Sequence, residues 1–276
     1  MNRIIIDSHC HIYPDQIAAR AVRGIDSFYN GLPDSHHDGT VKTLLASGRH
    51  AGISHFIVHS VATKPQQTAS INHFIAEETK KAGGAFTGLG TLHPDSETIK
   101  DDLENLISLG LKGVKLHPDF QKFEADSPKA FAIFEMCEDL GIPVLVHTGD
   151  YRYDYSNPER IARVLRAFPK LTFIGAHFGG WSIWDRATAL LPDFANMRVD
   201  TSSSFVWLQK EKVKEIIAAY GPERVLFGTD YPCWNQISEL QYMESLGLEK
   251  QELEQIYWKN CAKIYRIVSI HSCCLV

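Results

Sequence analysis

The sequence predicts an α/β fold, a single (β/α)8 TIM barrel, on three observations. Short apolar, β-branched runs alternate with longer amphipathic stretches along the whole 276-residue chain, the signature of parallel βαβ units. Eight such runs can be counted, and eight strand–helix units in this length is what a closed barrel requires. A doubly wound open sheet would place a Gly-rich phosphate loop after an early strand, and none is present. No low-complexity linker divides the chain, so residues 1–276 read as one domain.

The elements follow in order. RIIIDSH (3–9) is the first strand, three isoleucines ending in polar residues. Residues 12–40 come next, with three glycines and the run LPDSHHDG, and read as an irregular active-site loop or lid. HFIVHS (55–60), AFTGLGT (85–91) and LKGVKLH (111–117) are the second to fourth strands, with DSETIKDDLENLISLG a helix between the last two. Asp126 or Ser127 before Pro128 caps the fourth helix and Gly141 ends it. PVLVHTG (143–149) is the fifth strand, and Asn157-Pro158 opens a helix that Pro169 stops. LTFIGAH (171–177), MRVDTS (197–202) and RVLFGTD (224–230) complete the set, with KEKVKEIIAAYG closed by Gly221-Pro222 before the last.

Composition narrows the function. Hydrophobic residues are 44% and charged residues 22%, which allows a substantial core. A net charge of −5 supplies no positive field for nucleic acid or anionic lipid. No apolar run approaches the ~20 residues of a membrane span, and MNRIIIDSHCH turns polar too soon for a signal peptide. The six cysteines (10, 137, 233, 261, 273 and 274) form no C-x-x-C pair, which fits a reducing compartment. The final CCLV formally matches a prenylation box, but RIVSIHS before it carries one basic residue, which argues for coincidence. The expectation is a cytoplasmic protein acting on a small molecule, with no nucleic acid or membrane partner, and able to form a homo-oligomer as many barrels do.

The thirteen histidines are the compositional oddity. Strand ends on the C-terminal face form the functional face of a TIM barrel, and here they carry His9 and His11, His59, His117, His147 and His177, with His93 just after the third strand and Asp230 ending the eighth. Alternation along a strand points His9 and His11 the same way, and likewise Lys115 and His117. Imidazole and carboxylate converging from several strands would suit Zn²⁺, Mn²⁺, Fe²⁺ or Co²⁺, with an open position if the site is catalytic. Singly, each signal has a bland reading: a polar strand end for H-x-H, a structural histidine for His59, a helix-capping turn for GTD. The ordered combination favours the metal.

IDSHCH, GVKLHP, VLVHTG, IGAHFGG, VLFGTDYP and the late KNCAKIYRI, in that order, resemble the amidohydrolase superfamily, and more closely its amidohydrolase-2 branch of hydrolases, lactonases and non-oxidative decarboxylases such as the aminocarboxymuconate-semialdehyde decarboxylases. The resemblance runs from residue 4 to about 267. It implies one divalent metal, zinc first among the candidates, held by His9, His11, His147 and Asp230, with His177 as catalytic acid/base or carbonyl polariser. In binuclear relatives a strand-four lysine becomes a carbamate bridging two metals. Here Lys115 is read instead as a cation for a substrate carboxylate or a barrel aspartate, with His117 facing the substrate.

Two reactions fit. In hydrolysis of an amide, ester or lactone, a metal lowers the pKa of bound water to ~7, and Asp230 moves the proton. In decarboxylation, Asp230 or His177 protonates the carbon that loses CO₂. Decarboxylases of the branch tend to be longer, which leans the reading towards hydrolysis; a catalytically silent binding barrel is the third alternative. GDYRYDY (149–155) and GGWSIWD (179–185) could wall the pocket, with Arg152 pairing a substrate carboxylate bidentately. DTSSSF (200–205) could offer hydroxyls, and Phe28 and Tyr29 could close over the ligand.

Overall fold

The computed structural model describes residues 3–31 and 37–268. Part of LPDSHHDG and all of CCLV lie outside these residues. The strands are β1 (Ile6–His11), β2 (His55–His59), β3 (Phe86–Gly88), β4 (Gly90–Thr91), β5 (Val114–Leu116), β6 (Val144–Val146), β7 (Phe173–Gly175), β8 (Met197–Asp200) and β9 (Val225–Leu226). All neighbours pair in parallel, β1 to β3 in one run and β4 to β9 in the other. β3 and β4 flank Leu89 and make one barrel strand, whose Leu89 N–H donates to Val58 at 2.9 Å. The last strand returns to the first through Ser8 N–H to Phe227 O (2.9 Å) and His11 N–H to Tyr231 O (2.7 Å). The result is the (β/α)8 barrel.

The helices are α1 (Asp15–Phe28), α2 (Val41–Ala51), α3 (Thr68–Lys81), α4 (Ile99–Ser108), α5 (Pro118–Gln121), α6 (Pro128–Leu140), α7 (Pro158–Ala167), α8 (Trp184–Leu190), α9 (Lys210–Tyr220), α10 (Gln236–Glu244), α11 (Lys250–Glu254) and α12 (Asn260–Tyr265). Their boundaries follow local chemistry. Ser127 Oγ accepts the Ala130 N–H at the start of α6, and Gly141, in the left-handed region at φ 64°, ends it. Asp126 is used elsewhere, on Arg160 and Arg163. Among the described residues no helix is long and apolar enough to cross a membrane.

One expectation is corrected here. Within the stretch 12–40, residues 15–28 are not irregular, because α1 occupies Asp15–Phe28. Ile17, Ala18, Ala21, Val22, Ile25 and Phe28 recur at helical spacing; Gly24 and the glycines beyond it mask that stripe.

Two apolar layers build the core. Ile6, Ile57, Leu89, Leu145, Ile174 and Leu226 meet inside the barrel, and Cys261 and Tyr265 of α12 plug one end of it. Alternate residues such as Ile5, Val58, Val114, Leu116, Val144 and Val146 face the helices. The opposite end of the interior is polar, and the histidines lie there.

Candidate metal centre

Simple alternation from Ile6 would turn His9 and His11 outward, since Ile6 points inside. β1 avoids this with a bulge. Asp7 pairs with Phe56 but Cys10 pairs with Val58, so three steps of β1 oppose two of β2. The extra residue flips the parity: Cys10 and Ile12 join the outer layer, while His9 and His11 line the interior cavity. Buried Asp7 ties the bulge down, accepting from His9 N–H (3.3 Å), Thr229 N–H (2.9 Å) and Thr229 Oγ1–H (2.6 Å).

The GTD motif is explained by the same contact. A Cβ on Gly228 would lie 2.9 Å from the His9 Cβ, so only glycine permits the approach. Thr229 clamps Asp7, and Asp230 turns into the cavity at φ 60°, a conformation that Asp and Asn tolerate better than most residues.

Burial pushes the Asp7 carboxyl up to about 6, against the pull of the Thr229 hydrogen bonds. Because this lies above the ordinary 3.8, the folded state holds the proton more tightly than the unfolded chain. The group's contribution to stability is therefore greatest below about pH 4, falls as pH rises to about 6, and is level above. Thr229→Val should destabilise the fold by about 1–3 kcal/mol at neutral pH, since it leaves a buried carboxylate oxygen without its hydroxyl donor. Urea unfolding of the two proteins measures the difference, and an unchanged midpoint would remove Asp7–Thr229 from the clamp.

Three donors converge in the cavity. His9 Nε2 and His11 Nε2 are 3.3 Å apart, and Asp230 Oδ1 lies 3.4 Å from the first and 3.5 Å from the second. Ligands about 2.0–2.1 Å from a tetrahedral ion sit about 3.3 Å from one another, so this triangle fits one face of such a site. His9 Nδ1 stands 2.8 Å from Asp200 Oδ2; donation of that N–H leaves the Nε2 lone pair aimed at the centre. Asp200→Asn should weaken metal binding ~10–100-fold, read as the metal dissociation constant by chelator competition; an unaltered constant would mean the tautomer is fixed otherwise.

His59, inward on β2, joins the cluster: its ligand nitrogen and those of His9 and His11 lie within 4.8 Å of one another. Neither of its ring nitrogens has a hydrogen-bond partner among the described residues. The sequence puts His59 at a strand end on the functional face, where taken singly it reads as structural; its convergence on His9 and His11 shows only in the fold.

Lys115, inward from β5, reaches His9 Nε2 at 3.2 Å. Burial pushes its amine down to about 8, opposed by Asp200 and Asp230, so it is mostly an ammonium at neutral pH. Burial also pushes His177 down to about 4, partly countered by Asp200, and holds His9, His11, His117 and His147 well below the usual histidine value, with Lys115 adding to each. These rings are neutral.

His177 Nε2 lies 2.9 Å from His147 Nδ1, and its Nδ1 lies 2.8 Å from Ser202 Oγ. The His177 N–H donates to Asp200 Oδ1 at 3.0 Å, so Asp200 braces both His9 and His177. His147 Nε2 faces Gly149 O (3.1 Å) and Asp119 Oδ2 (3.3 Å). His117, Asp119 and His147 form a second compact donor group. However, His117 Nδ1 accepts the Phe120 N–H at 3.3 Å. Neutral His117 then carries its proton on Nε2 and donates to the Tyr29 hydroxyl at 3.2 Å, which makes it a hydrogen-bond donor in the cavity.

All the metal and catalytic candidates, with Lys115 and His117, line one cavity of about 30 Å³, walled by Ile25, Tyr29, Phe120 and Trp181. Arg152 does not line it, a correction to the expected substrate clamp. Its Nη2 and Nε grip Asp150 at 2.7 and 3.0 Å, and its Nη1 donates to Phe28 O at 2.6 Å. The carboxylate it pairs belongs to its own loop, an alternative that the motif spacing could not exclude. The DTSSSF hydroxyls are likewise engaged with the site itself: Ser202 faces His9 and His177, Ser203 donates to Asp230, and Ser204 donates to Ser202 O.

Comparison with known proteins gives the family. The amidohydrolase family model matches residues 6–267. The chain belongs to the amidohydrolase family. Within it, the amidohydrolase-2 branch is supported by a curated relative, the 2-amino-3-carboxymuconate-6-semialdehyde decarboxylase of Dictyostelium discoideum, 31% identical over 90 residues. That match takes in 30% of this chain and spans a quarter (25%) of the relative's length. Among solved structures, a 5-carboxyvanillate decarboxylase from Sphingomonas paucimobilis superposes with TM-score 0.73 at 16% identity, covering 96% of this chain and 99% of that one. A protein described as a 2-pyrone-4,6-dicarboxylic acid hydrolase from Pseudomonas putida gives TM-score 0.68 at 20% identity, over 96% and 98%. This amidohydrolase therefore shares its fold with both reaction types.

Proposed function

We propose that this amidohydrolase is a metal-dependent decarboxylase of a small carboxylic acid, working without an oxidant. The observation that carries the reading is the cavity of about 30 Å³, with the donor triangle and the Lys115 ammonium at one side and Ile25, Phe120 and Trp181 around it. Such a chamber suits one carboxylate between two positive charges, with apolar side chains against the rest of the acid. The lean towards hydrolysis on chain length is given up, since the carboxyvanillate decarboxylase aligns over 99% of its own length.

His9, His11 and Asp230 would hold the metal, with His147 across the cavity as the further ligand that the family resemblance implies. When bound, the metal supplies positive charge that orients an anionic substrate and stabilises charge developing during C–C cleavage. Lys115 would hold the carboxylate, and His117 Nε2–H would donate to a neighbouring substrate oxygen. The C–C bond breaks to release CO₂, and its electron pair on carbon takes a proton from the Asp230 carboxyl. Asp230 keeps its charge as a metal ligand and acts as the relay, handing on a proton that it takes up from solvent. Neutral His177 would fix the substrate against the cavity wall.

A second reading, hydrolysis of an ester or lactone, is favoured by Asp230 Oδ1, placed 3.4–3.5 Å from both imidazoles, where it could take a proton from an attacking water. The test is turnover of a panel of small aromatic and unsaturated carboxylic acids in D₂O. Release of CO₂ with one deuterium on the product carbon supports the proposal. Acid release from lactones without CO₂ moves the reading to hydrolysis, and no turnover by metal-replete protein returns the silent barrel. Elemental analysis is expected to find about one equivalent of zinc, or of manganese, iron or cobalt, per chain. Two equivalents would revive the carbamate on Lys115.

A further inference from the structure

The metal chamber is far smaller than the ~300–1,000 Å³ of ordinary small-molecule sites. Beside it lies a second, larger cavity of about 560 Å³, opening between α1 and α3. His11, Ile25 and Phe120 line both, so the two cavities adjoin at the His11 corner of the donor cluster. Its walls are mostly apolar: Ile17, Ala21 and Phe28 from α1 face Ile71 and Phe74 from α3, and Gln67, Ser70 and Asp119 also line it. The apolar face of α1 would ordinarily be spent on the barrel, yet Ile17 is 38% exposed here. Arg20 and Lys122 stand at the rim, exposed and without a salt-bridge partner among the described residues. The cavity lies over the loops that follow β1, β2 and β5, the face where barrel enzymes take substrate.

We propose that this groove is the second half of the substrate site, and that the substrate is an amphiphile: a carboxylate at the metal with an extended apolar arm along α1. The inference rests on the preceding reading only for the position of the carboxylate. The arm enters past His11 and Phe120 and buries its carbons between Ile17–Ala21 and Ile71–Phe74. Its length, more than the identity of its headgroup, sets specificity. The rim cations favour a second polar or anionic group at the far end.

The test is calorimetric titration of acetate, hexanoate and decanoate into the metal-loaded protein. Burial of apolar surface predicts about fourfold tighter binding per methylene while the arm lies in the groove, so decanoate should bind at least tenfold more tightly than hexanoate. Ala21→Trp, which fills the groove from a half-buried position away from the metal, should abolish that gain and leave acetate affinity unchanged. Ile71→Glu, from the opposite wall, guards against a folding defect in the first variant and should do the same. Equal affinities along the series, or no binding of decanoate, would overturn the groove while leaving the carboxylate anchor to be judged on acetate. Chain-length dependence that persists after chelator treatment would keep the groove and sink the metal anchor. A concentration-dependent dimer in sedimentation, lost in Ala21→Trp with no chain-length effect, would make the occupant a second copy and also overturn the proposal.

Discussion

Asp230→Asn is expected to remove metal and activity together. The substitution is nearly isosteric, and asparagine accepts the backbone at φ 60° that position 230 requires, so the fold should stand. What changes is charge. Asp230 Oδ1 is the anionic corner of the triangle with His9 Nε2 and His11 Nε2, and the other two corners are neutral rings. With the carboxylate gone, a divalent ion would face the Lys115 ammonium, 3.2 Å from His9 Nε2, with less negative charge to offset it. Outer ligand partners alone cost ~10–100-fold in affinity or activity, so loss of this corner should exceed 100-fold in both. Elemental analysis, turnover and circular dichroism of the variant separate the outcomes. A folded variant that keeps its full metal would show that His59 or His147 carries the load assigned here to Asp230.

How far the sequence spoke depends on whether the information was local. Strand order, Ser127 and Gly141 at the ends of α6, and the histidines at strand ends were legible because each rests on spacing or on one residue's backbone preference. That His9 and His11 point the same way was also read, but not that the way is inward. Simple alternation from Ile6 gives the wrong face, and the bulge that corrects it depends on Asp7 meeting Thr229, more than two hundred residues away. Helix α1 was missed because glycines interrupt an otherwise regular stripe. Arg152 was misassigned because the motif shows a cation but not the nearby anion that captures it. Asp200 opens DTSSSF, which was read for its hydroxyls and not for the acid; its place under His9 and His177 exists only after β8 closes beside β7.

His177→Asn should separate chemistry from metal binding. His177 touches none of the three corners of the donor triangle by hydrogen bond; its ring lies between His147 Nδ1 at 2.9 Å and Ser202 Oγ at 2.8 Å. Its backbone is at φ 59°, again within reach of asparagine, and the Trp184 indole N–H holds its carbonyl at 3.0 Å. The variant should therefore fold and, with metal in excess, still load it. Asparagine is too short to span from Ser202 to His147, so the imidazole surface that fixes the substrate is lost. A positioned acid/base or polarising group is worth ~10²–10⁴-fold, and kcat should fall by that amount with metal content unchanged. Because burial holds the imidazole down at about 4, it is neutral throughout the working pH range, and raising or lowering pH between 5 and 9 should not rescue the variant. A drop of less than tenfold in kcat, at full metal occupancy, would take substrate positioning away from His177 and reduce it to a brace for His147.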